Sequence, residues 1–156
     1  MKLTLLTDYA LRVLVFVGTK AEGELSTIGE IADAFDISKA HLMKVVHKLG
    51  QQGYLENIRG KNGGVRLRGT PETIVVGAVA RAIEEDLCVI GCLSDPGFCR
   101  IQPACVLRGA LREATRAFLA VLDTYTLADL IAPRVKLGRL LGIAVAPKQP
   151  APHLAP

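Results

Sequence analysis

Apolar residues recur every three or four positions along most of the chain, which is the spacing of amphipathic helices. The first predicted helix covers residues 3–21. Two shorter helices are predicted within 26–55, one beginning at an incomplete capping box at Ser26 and the other at Ser38, a good N-cap residue. Two short helices joined by so brief a turn are typical of a helix-turn-helix.

After residue 55 the pattern changes to that of a β-hairpin. Ile58, Val65 and Leu67 are strand-like, and the stretch 61-KNGG-64 between them is a strong hairpin tip. A helix-turn-helix followed directly by a hairpin outlines a winged helix. We therefore predict a mainly α fold with a small β-hairpin, in which residues 1–72 form a winged helix-turn-helix DNA-binding region.

Helical periodicity returns in the second half of the chain. A helix is predicted over 73–85, the Gly- and Pro-containing stretch 88–105 is expected to be a loop, and a long helix is predicted over 106–131. Such a long helix needs a partner helix, so we predict a homodimer. Residues 73–131 are predicted to supply the linker helix, the cysteine loop and the dimerisation helix. The helix carries apolar residues at alternating spacings of four and three, as in a coiled-coil seam: Leu107, Leu111, Ala114, Phe118, Val121 and Tyr125.

The length, 156 residues, is that of one domain with a C-terminal extension. Residues 132–156 are assigned to this tail, and its proline-rich end, 147–156, is expected to be disordered. The N-terminal apolar run is interrupted by Asp8 and Arg12, and is too short and too charged for a signal peptide or a membrane span. We expect a cytoplasmic protein without membrane attachment, in which clustered cysteines indicate metal or redox chemistry rather than disulfides.

Positive charge is concentrated in the second helix of the helix-turn-helix and in the hairpin. The formal net charge is +4, but from Ser38 to Arg68 there are seven Lys and Arg against one Asp or Glu. Phosphate binding needs such a concentration, and a solvated basic face of structural use is the alternative. Met43, Val45 and Val46 are expected to face the core. The candidate DNA-contacting residues are Ser38, Lys39, His41 and Lys44 on the helix and Arg59, Lys61, Asn62, Gly63 and Gly64 on the hairpin.

Four cysteines follow the spacing Cys88-x3-Cys92-x6-Cys99-x5-Cys105. No C-x2-C pair is present, which argues against a zinc site and against a thioredoxin-type redox motif. Thiolates on a loop that can wrap around a cofactor suit an iron–sulfur cluster, while four idle thiols are the alternative. We expect no enzymatic activity, because no carboxylate pair, Ser-His-Asp set or phosphate-binding glycine loop is visible.

Four segments in a fixed order carry a resemblance to a known family: MKLTLLTDYALR at the start, RGKNGGVRL in the hairpin, CLSDPGFCRIQPACVL at the cysteines and LDTYTLADL beyond them. Together they resemble NsrR-type regulators, the nitric-oxide-sensing repressors of a bacterial winged-helix family that also includes the iron–sulfur-assembly regulator IscR. The resemblance covers residues 1–131 and leaves the tail outside.

The resemblance implies a dimeric repressor of double-stranded operator DNA, with an iron–sulfur cluster held by Cys92, Cys99 and Cys105 and destroyed by nitric oxide. In some members the fourth ligand is an N-terminal aspartate from the other protomer, and Asp8 stands at the matching position. Cys88 is the rival fourth ligand. A [4Fe–4S] cluster is favoured over a [2Fe–2S] cluster.

Two features separate this chain from other members of the family. The first gap between the three ligand cysteines is slightly longer than in close relatives. Arg108 stands where IscR-like regulators carry a histidine, which argues against the assembly-regulator function. The alternative function is a redox or iron-status regulator of the same family that uses the cluster, or the thiols, without specificity for nitric oxide.

Overall fold

The computed structural model describes residues 3–95, 97 and 99–145. The stretch 147–156, predicted to be disordered, lies outside the described residues. A mainly α fold with one two-stranded antiparallel sheet is confirmed. None of the helices in the described part combines the length and apolar character that a membrane span requires. The elements in chain order are α1 (Leu5–Thr19), α2 (Ile28–Phe35), α3 (Lys39–Gln51), β1 (Leu55–Ile58), β2 (Gly64–Leu67), α4 (Val76–Ile83), α5 (Gly91–Ser94), α6 (Val106–Asp123), α7 (Leu127–Leu130) and α8 (Arg134–Leu141).

Helix α1 is the centre of the fold. It contacts α3 and β2 of the winged helix and also α4, α7 and α8 from the rest of the chain. Because all these elements cover the same helix, the helix-turn-helix, the hairpin and the segments after it share one core. The largest fully buried aliphatic side chains, each less than 2% exposed, come from both parts of the chain: Leu14, Ile31, Leu42, Leu49, Leu55, Ile83 and Leu127.

Helix α2 is capped by Thr27 and not by Ser26. The Thr27 Oγ1 accepts from the backbone N–H of Glu30 (3.1 Å), and the Glu30 carboxylate accepts from the N–H of Thr27 (2.6 Å). The predicted capping box at Ser26 is therefore wrong, because Ser26 is fully buried and its backbone pairs with Val65 of β2. Helix α3 follows Ser38 as predicted, and the Ser38 Oγ accepts a backbone N–H of the first turn (3.3 Å).

The long helix predicted over 106–131 is interrupted after α6. The carbonyl oxygen of Tyr125 accepts from the N–H of Val76 (2.9 Å), and that of Ile74 accepts from the N–H of Leu127 (2.8 Å). This short bridge takes the backbone out of the helix, so the prediction of one continuous helix is wrong. The same pairing delays α4, which begins at Val76 instead of residue 73.

Lys20, just after α1, is a buried charged residue. Its ammonium donates to the Glu30 carboxylate (2.8 Å) and to the carbonyl oxygen of Leu25 (2.9 Å). The Lys20 side chain is 6% exposed, whereas that of Glu30 is 47% exposed. Burial favours a higher pKa for Glu30, but the hydrogen bonds from Lys20 and Thr27 outweigh it and hold the pKa below the ordinary 4.5. The pair ties the end of α1 to the start of α2.

Candidate nucleic-acid interface and cysteine segment

Helix α3 has a buried apolar face and an exposed polar face. Ser38, Lys39, His41 and Lys44, the residues predicted to contact DNA, are all exposed. The ring of Tyr9 from α1 lies beside His41, with ring centres 6.2 Å apart. The opposite face anchors α3 in the core through four buried residues: Leu42, Val45, Val46 and Leu49.

Met43 does not lie where the sequence predicts. We expected it in the core with Val45 and Val46, which are indeed buried at 1% and 4% exposure, but the Met43 side chain is 55% exposed. Successive residues of a helix are rotated by about 100°. The four buried residues already fill the side of α3 that faces the core, and Met43 falls outside that side. The prediction for Met43 is therefore wrong.

The hairpin carries exposed polar residues at its tip. Strands β1 and β2 pair in antiparallel register, and Arg59, Lys61 and Asn62 lie exposed between them. Arg66 on β2 donates to the carboxylate of Glu56 on β1 (2.9 Å), so part of its charge is neutralised within the hairpin. The described residues provide no such carboxylate partner for Arg59 or Lys61. The hairpin tip therefore carries free positive charge, where a nucleic acid backbone can reach it.

Two glycines of the hairpin are required by close backbone approaches. A Cβ atom at Gly63 would lie 2.2 Å from the carbonyl oxygen of Ile58, and one at Gly64 would lie 2.7 Å from that of Ser26. Both residues are half-buried. Gly63 therefore permits the tight tip, and Gly64 lets β2 lie against the segment that precedes α2.

The cysteine segment contains more regular structure than the predicted loop. Cys92 lies in the short helix α5, and Cys105 is the residue immediately before α6, after a single 3-10 turn. Cys99 lies between them. All four cysteines are free, with Cys88 exposed and the other three half-buried.

Gln102 connects the parts of this segment, and sequence analysis did not single it out. Its Nε2 donates to the carbonyl oxygens of Cys92 (2.8 Å) and Asp95 (3.2 Å), and its Oε1 accepts from the N–H of Gly97 (2.7 Å). The Nε of Arg108 donates to the same carbonyl oxygen of Cys92 (3.1 Å). These bonds hold α5 against the beginning of α6. No sequence signal other than its place between the cysteines marks Gln102.

The two candidate fourth ligands have different surroundings. The Asp8 carboxylate forms a two-point ion pair with Arg12, with N–O distances of 2.9 and 3.0 Å. Cys88 donates its backbone N–H to Asp86 (2.7 Å), and hydrogen bonding to that carboxylate, together with desolvation, raises the pKa of the Cys88 thiol. A higher pKa leaves less thiolate, the form that binds metal. Both candidate fourth ligands are therefore engaged with a neighbouring residue in the single chain, Asp8 with Arg12 and Cys88 with Asp86.

A single chain does not present an assembled metal site. Within the described residues, no three His, Cys, Asp or Glu side chains are grouped to hold a metal ion. Cys92, Cys99, Cys105 and Asp8 of one chain are therefore not brought together. The donor types do fit an iron–sulfur cluster, because three free thiols lie half-buried on one segment and no disulfide consumes them. A site built on these thiols would need them to come closer together and a donor from outside the segment.

A helix-turn-helix with a basic exposed helix, followed by a hairpin with a basic tip, defines a winged-helix DNA-binding regulator. The chain belongs to the Rrf2 family of iron-dependent transcriptional regulators, whose family model matches residues 3–133. It is therefore a DNA-binding transcriptional regulator.

Individual relatives agree with this assignment. The chain is 53% identical over 142 residues to the HTH-type transcriptional regulator NsrR of Geobacillus kaustophilus strain HTA426, and 49% identical over 142 residues to that of Bacillus subtilis strain 168. Both alignments cover 90% of this chain and 97% of the relative, so the similarity continues past residue 131, where the sequence motifs ended. Among solved structures, CymR (YrzC), the global cysteine regulator of B. subtilis, is similar with a TM-score of 0.62 and 26% identity, covering 85% of this chain and 98% of that one.

Proposed function

We propose that the protein is a dimeric repressor that binds double-stranded operator DNA and responds to nitric oxide through an iron–sulfur cluster. The observation that carries this proposal is the set of three free, half-buried thiols, Cys92, Cys99 and Cys105, on the segment between α4 and α6. The NsrR names of the two relatives, and the resemblance to nitric-oxide-sensing repressors, support nitric oxide as the signal.

The DNA-binding step uses α3 and the hairpin. The N-terminal residues of α3 face base edges in the major groove, and the hairpin tip enters the neighbouring minor groove. Lys39 and Lys44 on α3 are exposed, and the described residues offer them no carboxylate partner, so both are free for phosphates. Arg59 and Lys61 on the hairpin are likewise exposed and free for phosphates. Two copies place two α3 helices in successive major grooves of a nearly palindromic site.

The dimer forms through α6. This 18-residue helix has no buried residue in the described chain. Its predicted seam is open, with Leu107 62% exposed, Val121 59% and Tyr125 49%. An apolar stripe of this length is stabilised by the same stripe of a second copy, as in a coiled coil. The second copy also supplies the donor from outside the cysteine segment.

In this proposal Cys92, Cys99 and Cys105 hold three corners of the cluster, and Asp8 of the second copy holds the fourth. A [4Fe–4S] cluster is favoured over a [2Fe–2S] cluster. When bound, the cluster supplies the iron that reacts with nitric oxide. Arg12 pairs with the Asp8 carboxylate in the described chain, so ligation by Asp8 would require this ion pair to open. A carboxylate oxygen would suit iron in a sulfide cluster less well than a thiolate, so Asp8 would be the corner that is easiest to release.

Release of these ligands ends repression because it removes the link between the two copies. While the cysteine segment of one copy is tied to α1 of the other, the spacing of the two α3 helices is constrained. Without this tie the dimer samples other spacings, and only one of them matches two half-sites. The signal therefore biases a two-state assembly.

The decisive experiment is spectroscopy on protein purified without air, paired with a DNA mobility shift. Absorption and Mössbauer spectra are expected to show an iron–sulfur cluster that stoichiometric nitric oxide removes, with loss of the DNA complex. Cluster bands and DNA binding that both persist after nitric oxide would contradict the sensing role.

Ligand assignment is tested by five further variants measured in the same way. Alanine at Cys92, Cys99 or Cys105 is expected to abolish the cluster, whereas Asp8→Ala weakens it. Cys88→Ala is the matched control and should keep full iron content. Loss of the cluster in Cys88→Ala, together with its retention in Asp8→Ala, would reverse the assignment of the fourth ligand.

A second candidate is a regulator that uses the same cysteines without a cluster, forming disulfides in response to oxidants. It is favoured by the exposed free thiol of Cys88 and by the likeness to CymR, a protein named as a global cysteine regulator. Colourless anaerobic protein that binds DNA fully, loses binding with peroxide and regains it with a thiol reductant would support this candidate over the first.

A further inference from the structure

Met43 places a large apolar side chain on the otherwise polar face of α3. It is 55% exposed, and Ala40, one turn earlier, is exposed as well. Residues three apart lie on the same side of a helix, so the two form one apolar strip. Lys39, Lys44 and His47, all exposed, flank this strip.

The flanking residues restrict what the strip contacts. Cationic and imidazole side chains suit a polyanion, and they oppose burial against an apolar protein surface, where their charges would lose water without gaining partners. The strip also lies in the N-terminal half of α3, the part of a recognition helix that reaches base edges. Its contact is therefore an apolar group inside the major groove.

We propose that Ala40 and Met43 recognise the C5-methyl groups of thymines. The thymine methyl is the apolar group in the major-groove pattern, whereas the other groups there donate or accept hydrogen bonds. Residues three apart are separated by about 4.5 Å along a helix, compared with about 3.4 Å for a base-pair step. The two side chains therefore address neighbouring base pairs. This inference rests on the proposed binding of DNA through α3, and it adds a sequence preference to it.

The test begins with selection of bound sequences from random double-stranded DNA by the full-length protein, purified without air. Each thymine of the selected half-site is then replaced by deoxyuridine, which lacks only the methyl group. Loss of one buried methyl group should lower the affinity for DNA about fourfold, and loss of the two symmetry-related methyl groups of a palindromic site should lower it about 15-fold. We expect losses of this size at one or two positions in each half-site and none elsewhere.

Two variants then connect the preference to Met43. Met43→Gln keeps a long, helix-forming side chain and removes its apolar end, so the thymine-to-uracil affinity ratio at its position should fall to about one. Lys44→Ala is the matched control on the same helix: it should weaken binding to both DNAs equally and keep the ratio. Circular dichroism checks that both variants remain folded.

The outcomes separate this inference from the function on which it rests. Equal binding of thymine and uracil sites at every position overturns the inference and leaves DNA binding by α3 intact. Retention of the full preference in Met43→Gln also overturns the role of Met43. Failure of the selection to enrich any sequence instead overturns DNA recognition by α3, and the proposed function with it.

Discussion

Replacing Leu107 and Val121 with alanine removes apolar surface from the face of α6 that is open in a single chain. Leu107 is 62% exposed and Val121 is 59% exposed, so these fractions are what a second copy can newly cover. The substitutions remove three and two carbon groups, each worth about 0.8 kcal/mol when buried. Scaled by exposure, the loss is about 2.4 kcal/mol per subunit, or about 5 kcal/mol for a symmetric dimer. That corresponds to a dimer dissociation constant about 3,000-fold higher.

Sedimentation equilibrium over a range of protein concentrations measures this constant directly. Leu140→Ala is a matched control, because Leu140 on α8 is 71% exposed but lies outside the seam. The thermal unfolding of the monomer should change little in the double variant, since α6 contributes no buried residue to the described chain. An unchanged dissociation constant in the double variant, or an equal effect of Leu140→Ala, would refute the assignment of α6 as the dimer helix.

Three further substitutions, one of them with a control, test the winged helix itself. Thr27→Ala removes the N-cap of α2 and should lower the free energy of unfolding by about 1 kcal/mol in urea titrations, with no change if the cap bond is not formed. Gly63→Ala puts a Cβ 2.2 Å from a carbonyl oxygen of the opposite strand and should lower the melting temperature, whereas Asn62→Ala at the exposed tip should not. Glu30→Gln keeps the capping geometry but removes the charge opposite Lys20, and should cost about 1–2 kcal/mol because Glu30 is half exposed. The folded-state pKa of Glu30 lies below 4.5, so the contribution of its charge to stability is complete above pH 4.5 and disappears as the pH falls through the lowered value. The variant and the original protein should therefore converge in stability in acid.

The helix-turn-helix and hairpin were predictable because their signals are local. Ser38 caps α3 through its own first turn, and Gly63 at the hairpin tip permits a close backbone approach within the hairpin. The break between α6 and α7 depends in part on long-range contacts, because one backbone hydrogen bond joins Val76 to Tyr125 and a second joins Leu127 to Ile74. A helical pattern contains no information about such a bridge. The capping box of Thr126 and Asp129 is a local signal of a new helix start that the periodicity alone did not use.

The same distinction between local and long-range signals applies to the candidate site. Residue type and spacing marked the cysteines, and the family resemblance added Asp8. The contacts of Gln102 were not visible, because its side chain reaches the carbonyl oxygen of Cys92, ten residues earlier, and that partner is decided by how the segment folds. The Asp8–Arg12 pair has the i,i+4 spacing of a local helix pair and could have been read from the sequence. Met43 was placed in the core because an apolar residue on an amphipathic helix is most often buried. The exposure of Met43 departs from that rule and indicates a separate use for the exposed face of α3.

Helix α4 connects the end of α6 to the start of α1. Arg81 forms a two-point ion pair with Asp123 at the end of α6 (2.6 Å), and a Cβ at Gly77 would lie 2.0 Å from the same carboxylate, so α4 and α6 meet closely there. One turn later, Glu84 accepts from the N–H and hydroxyl of Thr4 (2.7 and 3.1 Å), just before α1.

The cysteine segment begins directly after this contact and ends at the opposite end of α6. The C-terminal end of α6 is therefore fixed to the core, whereas its N-terminal end comes directly after Cys105. If two copies pair through α6, as we propose, closing or opening the cysteine segment is expected to change the angle between the two cores, and with it the distance between the two α3 helices.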